Sequence, residues 1–226
     1  MNKRFEQVSQ PCSYSKAIRS DQLVLSVDDT IYIVYSKKPS AKIACIFKTK
    51  QEYVQSQYYL FDMQNIISKY MKFFSEYIYG SKNYLVLGLG IGTYPNYIIS
   101  NFGSSGIIER IDCVDINPIL TKLYKTFFSV SNLIHVYNTT ALDFISTTLI
   151  KYDIVLIDIP CEFVTNELLE LINSKTSKLR NIYVNLIDKG IEKIDPSILF
   201  NKFVIKSYYN TNNVDSLKVN HLFVLE

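Results

Sequence analysis

Three glycines two apart, Gly88, Gly90 and Gly92, end the apolar run of YLVLGLGIGTYP. Two carboxylates, Asp115 in CVDINP and Asp158 in YDIVLIDIP, end two later apolar runs. A residue without a Cβ tolerates positive φ and lets a ligand approach the backbone closely. A carboxylate at the end of a strand can accept both hydroxyls of a ribose, and another can serve as a base toward an amine. The chain has only 7 glycines in 226 residues, so this cluster answers a specific demand. In the dinucleotide fingerprint the third glycine comes one position later than in G-x-G-x-G. That spacing turns the expectation from a nicotinamide dinucleotide toward S-adenosylmethionine. Asp115 has an alternative reading as a cap for a helix starting at Pro118, and Asp158 as a polar strand end. Asp112 reads as a solvated residue at the start of its strand.

Such residues need a scaffold that brings strand ends side by side. YLVLGL is followed by a helical pattern from about Tyr94, IDCVDI by one from Pro118, and LIHVY by one from Thr140 or Ala141. YDIVLIDI precedes a helix across TNELLELINS, and RNIYVNLI follows it. Continuous apolar strands alternating with helices predict a parallel sheet covered on both faces. NKFVIKSYY and NHLFVLE read as closing strands able to form a hairpin. Upstream, QLVLSV, TIYIVYS, KIACIFK and EYVQSQYYL are short β-branched and aromatic runs separated by polar turns, a small antiparallel unit. DMQNIISKYMKFFSEYIYG has helical spacing and stops at Gly80. The expected domains are an N-terminal β domain over 1–62 and a Rossmann-like cofactor-binding domain over 63–226.

Composition narrows the partners. With 24 basic and 21 acidic residues the net charge is +3, and no basic run interleaved with aromatics marks a nucleic-acid face. The N-terminal stretch lacks the apolar segment of a signal peptide, and no apolar run reaches the 18 residues that span a bilayer, so a cytoplasmic chain without a membrane partner is expected. Cys12, Cys45, Cys113 and Cys161 lie far apart with no CxxC pair, which suggests reduced thiols and no metal site. His135 and His221 sit within apolar runs and read as packing residues.

LVLGLGIGTYP, CVDINP, ALDFI, YDIVLIDIP and IYVNL, in that order and after a β-rich unit ending in YVQSQYYL, resemble the spermidine synthase (polyamine aminopropyltransferase) family, above all its divergent spermidine-synthase-like bacterial members. The resemblance covers roughly residues 50–226. It implies an α/β fold: a seven-stranded, Rossmann-like sheet of the S-adenosylmethionine-dependent methyltransferase type, preceded by a small antiparallel β domain used in homodimerisation. It also implies S-adenosylmethionine or decarboxylated S-adenosylmethionine as co-substrate, a small amine as partner, and a place in polyamine biosynthesis. Carried over, Gly88, Gly90 and Gly92 line the cofactor, Asp115 holds its ribose, and Gln55 faces it from the N-terminal domain. Thr140 and Ala141 fall at the adenine, and Asp158 is the catalytic acid beside the amine.

Three positions depart from the family. Ile91 and Cys161 stand where aminopropyltransferases have acids, and Thr140 stands where an Asp reads the adenine amino group. Asp143 is three residues on, about 300° around a helix, and a poor direct substitute. An alkyl ammonium with a pKa near 10.4 must lose its proton before attack, which at pH 7 costs about 4 to 5 kcal/mol. Asp158 can recover part of that. A diamine's distal ammonium would want a carboxylate that Ile91 and Cys161 cannot supply, so putrescine is not the favoured acceptor. The expected activity is therefore transfer of an aminopropyl or methyl group to a small amine or other nucleophile. The alternative is a catalytically inactive family member serving as a dimeric binding or structural module. A nicotinamide oxidoreductase is third, disfavoured by the glycine spacing and by Gln55.

Overall fold

The computed structural model describes residues 22–26, 31–36, 42–47, 53–59, 73–76, 78–188, 199–211 and 219–225. The chain divides into two compact units, Met1–Ile67 and Ser68–Glu226. In the first, β1 (Gln22–Ser26), β2 (Ile31–Ser36), β3 (Lys42–Phe47) and β4 (Tyr53–Tyr59) form one antiparallel sheet in sequence order. Ile31 and Ile33, two apart on β2, are both buried, as a shared strand face requires. Of the helix expected over DMQNIISKYMKFFSEYIYG, Phe73, Phe74 and Ser75 are helical, and 60–72 and Tyr77 lie outside the described residues.

The second unit holds β5 (Asn83–Leu87), β6 (Arg110–Asp115), β7 (Ile134–Asn138), β8 (Tyr152–Ile157), β9 (Thr176–Asp188), β10 (Ile205–Thr211) and β11 (Val219–Leu225). They make one seven-stranded sheet in the order β10-β11-β9-β8-β5-β6-β7. β7, β6, β5, β8 and β9 run parallel to one another, and β11 runs antiparallel to both β9 and β10. The last two strands thus pair as the closing hairpin pattern predicts. Tyr84, Leu85, Val86 and Leu87 of β5 are all buried, as central strands of a sheet covered on both faces require.

Among the described residues, α1 (Thr93–Phe102), α2 (Pro118–Leu123), α3 (Ala141–Thr147) and α4 (Asn166–Ser174) connect the parallel strands. Each of the last three starts on a polar cap. Asn117 accepts the Ile119 and Leu120 N–H groups ahead of α2, with Pro118 in the first helical position, where its missing donor is harmless. Thr140 caps α3 and Thr165 caps α4. α2 runs on into a π-helical turn, Tyr124–Phe128. Phe144 of α3 and Leu168, Leu169 and Ile172 of α4 pack with Leu85, Leu87, Val155 and Ile157 in one core.

From β5 the chain steps outward to β6 and β7, then crosses to β8 on the other side of β5. The order therefore reverses between β5 and β8. In open α/β sheets, the crevice at the carboxyl ends of two such strands is where ligands bind.

Candidate functional site

Gly88 and Asp158 stand on the two sides of that crevice. Gly88, directly after β5, donates its N–H to the Val114 carbonyl at 2.9 Å, and Asp158, directly after β8, donates its N–H to the Leu87 carbonyl at 2.8 Å. Gly88, Gly90 and Gly92 all have positive φ, at 92, 54 and 85°. A Cβ on Gly88 would fall 2.0 Å from the Asp158 carbonyl oxygen, and one on Gly92 would fall 1.9 Å from Cε2 of Tyr124. The packing of the protein itself demands glycine at both places, in addition to any ligand.

Asp115 faces this turn from the end of β6. Its Oδ2 accepts the N–H groups of Leu89 at 3.0 Å and Gly90 at 3.3 Å, and its Oδ1 accepts that of Asn117 at 2.8 Å. Burial pushes its carboxyl above the ordinary range, and the N–H groups of Asn117, Gly90 and Leu89 pull the other way. A carboxylate has about four acceptor places, so one remains after these three bonds. Asp115 thus ties the glycine turn to the start of α2 and can still receive one ribose hydroxyl.

Asp158 carries the second carboxylate. Its Oδ1 accepts from Nδ2 of Asn185 on β9 at 2.8 Å. Asn185 has no exposed surface. Sequence reasoning passed over it, although an asparagine inside the apolar run RNIYVNLI is a visible irregularity.

The fold is similar to that of solved methyltransferases. TrmK of M. capricolum, in complex with S-adenosyl-homocysteine, matches with a TM-score of 0.53 and 16% identity over 72% of this chain and 69% of its own. The N-methyltransferase NodS from Bradyrhizobium japonicum matches with a TM-score of 0.54 and 10% identity over 65% and 86%. A SAM-dependent methyltransferase from Leishmania major gives 0.52 and 12% over 70% of each chain. The chain has the methyltransferase fold. No family model matches the sequence, and no curated protein does.

Within this methyltransferase fold the remaining predicted residues take definite places. Thr140 is the cap of α3: its Oγ1 accepts the Asp143 N–H at 3.0 Å and donates to Asp143 Oδ2 at 2.6 Å. Ala141 opens α3, in the turn whose N–H groups lack intrahelical acceptors. Ile91 is buried in the glycine turn. Cys161 begins a short 3-10 turn, Cys161–Phe163, half-buried, with its Sγ 3.6 Å from Glu162 Oε2. Gln55 lies on β4, and its side chain falls outside the described residues.

Asp112 is not solvated. It is the third residue of β6, fully buried, and Arg110 Nε donates to both its oxygens at 2.8 and 2.9 Å. Tyr152 Oη donates to its Oδ2 at 2.6 Å, and Arg110 Nη2 donates to Tyr137 Oη. Residues two apart on a strand share a face, which brings Arg110 onto Asp112. A groove of about 490 Å³ beside α3 borders this cluster, lined by Arg110, Asp112, Tyr137 and Asp143 among others. Burial pushes the Cys113 thiol far up, as expected of an inert packing residue. His221 stacks on Tyr208 and shares a hydrogen bond with its hydroxyl at 2.9 Å. Among the described residues no group of His, Cys, Asp and Glu could hold a metal ion, and no helix is long and apolar enough to cross a membrane.

Proposed function

We propose that this protein binds S-adenosylmethionine, or its decarboxylated form, at the switch point between β5 and β8 and transfers an alkyl group to a small amine. One observation carries the reading: the sheet order sets the positive-φ glycine turn, with Asp115 against it, and the Asp158 carboxylate on opposite sides of one crevice. The residues fit an adenosyl group. Gly88, Gly90 and Gly92 offer backbone without side chains, Asp115 keeps one acceptor place for a ribose hydroxyl, and the first turn of α3 at Ala141 offers N–H donors to the adenine.

When bound, the co-substrate supplies a carbon activated by an adjoining sulfonium. The work of the chain is then to place the amine and to meet the positive charge that gathers on its nitrogen as it is alkylated. Asp158 is suited to that, and can take the nitrogen's proton. Methyl transfer is the first form, in keeping with the methyltransferase neighbours, one of which is an N-methyltransferase by name. Aminopropyl transfer of the spermidine-synthase-like kind is the second. It is favoured by the four-stranded antiparallel unit ahead of the sheet, with Gln55 on its last strand, an arrangement that also suits homodimerisation.

Calorimetry with S-adenosylhomocysteine and methylthioadenosine tests both forms. Micromolar binding weakened by Asp115→Ala is expected, with preference for the first compound indicating methyl transfer and for the second aminopropyl transfer. If neither compound binds, the reading fails and the inactive binding module takes its place.

A further inference from the structure

Asn185 lies on β9 between Val184 and Leu186, and none of the three has exposed surface. Its Nδ2 donates to Asp158 Oδ1 at 2.8 Å. Its Oδ1 is buried and meets no donor. A carboxylate only accepts, so the amide nitrogen must be the atom that faces Asp158, and the carbonyl is turned away by necessity. An unpaired buried acceptor destabilises a fold, and an apolar side chain in its place would remove it. A residue kept for stability alone would not be an asparagine here. The compensation lies in its other half, the hydrogen bond to a carboxylate at the switch point.

We propose that Asn185 is a positioning residue whose amide fixes the Asp158 carboxylate in one rotamer and in its ionised form at the carboxyl end of β8. The inference rests on the alkyl-transfer reading of that crevice. A substrate that covers Asp158 strips its water, which favours the neutral acid, and an N–H aimed at the charged form opposes this. An ionised carboxylate is what a nitrogen acquiring positive charge needs nearby. The described titratable groups on the turn after Asp158 are Cys161 and Glu162, neither of them cationic. β5 meets Asp158 through the backbone of Gly88, and β9 through neutral Asn185.

The test is a carbon-13 NMR titration of the full chain labelled at aspartate carboxyls, with the Asp158 signal assigned by its loss in Asp158→Asn. In Asn185→Leu the Asp158 midpoint is expected to rise by about one pH unit, a tenfold gain in proton affinity. Should the leucine variant fail to fold, Asn185→Ala removes the same donor without adding bulk. A midpoint unmoved within about 0.3 unit in the folded variant overturns the proposal and leaves Asn185 a structural tie between β8 and β9. Binding of S-adenosylhomocysteine by the same samples is read separately. Its absence from the parent protein counts against the alkyl-transfer reading, whereas the titration alone decides the role of Asn185.

Discussion

A Cβ on Gly88 would lie 2.0 Å from the carbonyl oxygen of Asp158, the residue that opens the other side of the crevice. That gap is far below any real carbon contact, and the oxygen belongs to backbone that cannot swing aside. β5 and β8 remain in register to their ends, where Asp158 N–H meets the Leu87 carbonyl at 2.8 Å, only because residue 88 has no side chain. Gly88→Ala should therefore lower stability by roughly 2 to 5 kcal/mol, from the positive φ and the clash together. Urea denaturation measures it, and a loss below about 1 kcal/mol would show that the two strand ends part easily.

Gly92 answers to a different neighbour. Its added Cβ would strike Tyr124, whose hydroxyl donates to Asn96 Oδ1 at 2.7 Å, and Asn96 Nδ2 in turn donates to the Phe128 carbonyl at 3.1 Å. This buried chain locks α1 to the π-helical turn after α2. Gly92→Ala should cost less in a Tyr124→Ala background than in the parent, with a coupling of about 0.5 to 3 kcal/mol, because removing the ring removes the clash. Additive costs would mean that the strain lies in φ alone.

The elements were legible because their signals are local. Alternating apolar runs and helical patterns announce the parallel sheet, and Gly92, Asn117, Thr140 and Thr165 mark helix starts within a residue or two. The glycine cluster and the carboxylates at the ends of β6 and β8 were legible for the same reason. What the sequence hid are the partners each side chain meets across the fold. Of the N–H groups that fold onto Asp115, that of Asn117 is local and in keeping with its reading at the start of a helix, but those of Leu89 and Gly90 come from 26 and 25 residues upstream. Asp112 reads as solvated until Tyr152, 40 residues away, reaches it. The amide that meets Asp158 comes from a strand 27 residues further on.

The Asp112 cluster should matter for stability and not for ligand binding. Arg110→Met leaves a fully buried carboxylate held by Tyr152 alone, and an uncompensated buried charge of this kind costs roughly 3 to 5 kcal/mol. Burial and then the bond to Asp112 push the Tyr152 hydroxyl well above its ordinary range, so it stays a neutral donor and brings no positive charge to the pair. Urea midpoints should fall sharply while S-adenosylhomocysteine affinity of the folded fraction stays the same. A stable Arg110→Met protein would mean that the Tyr152 hydroxyl alone suffices to hold Asp112.

Asp115 makes a pH-dependent contribution with a definite sign. Its folded-state pKa is raised above the ordinary 3.8, chiefly by burial, so across the interval between the two values the folded state holds the proton more firmly than the unfolded chain. Stability from this group is fully present below 3.8 and is lost as pH rises through the raised value. The stability of the parent relative to Asp115→Asn should therefore decline with rising pH across that window and then level off. Paired urea titrations from pH 3 to 6 measure the difference, in which the other carboxylates cancel. A relative stability that rises with pH would show that the three N–H donors outweigh burial.

Thr140 offers the sharpest contrast between the family pattern and this chain. Its single donor is committed to Asp143 Oδ2 and its oxygen already accepts the Asp143 N–H, so little capacity remains for an adenine. Thr140→Ala should then cost about 1 kcal/mol of stability through the lost cap, yet change S-adenosylhomocysteine affinity by less than about threefold. Placing the family's aspartate there directly sets two carboxylates against each other at 140 and 143, and the cap should weaken. Combined with Asp143→Asn, the new carboxylate keeps the cap bond and gains an amide neighbour able to donate to it. The double variant should match the parent in urea and bind S-adenosylhomocysteine roughly tenfold more tightly, the size of one good hydrogen bond to a charged group. Unchanged affinity in a stable double variant would mean that the adenine does not lie over the start of α3.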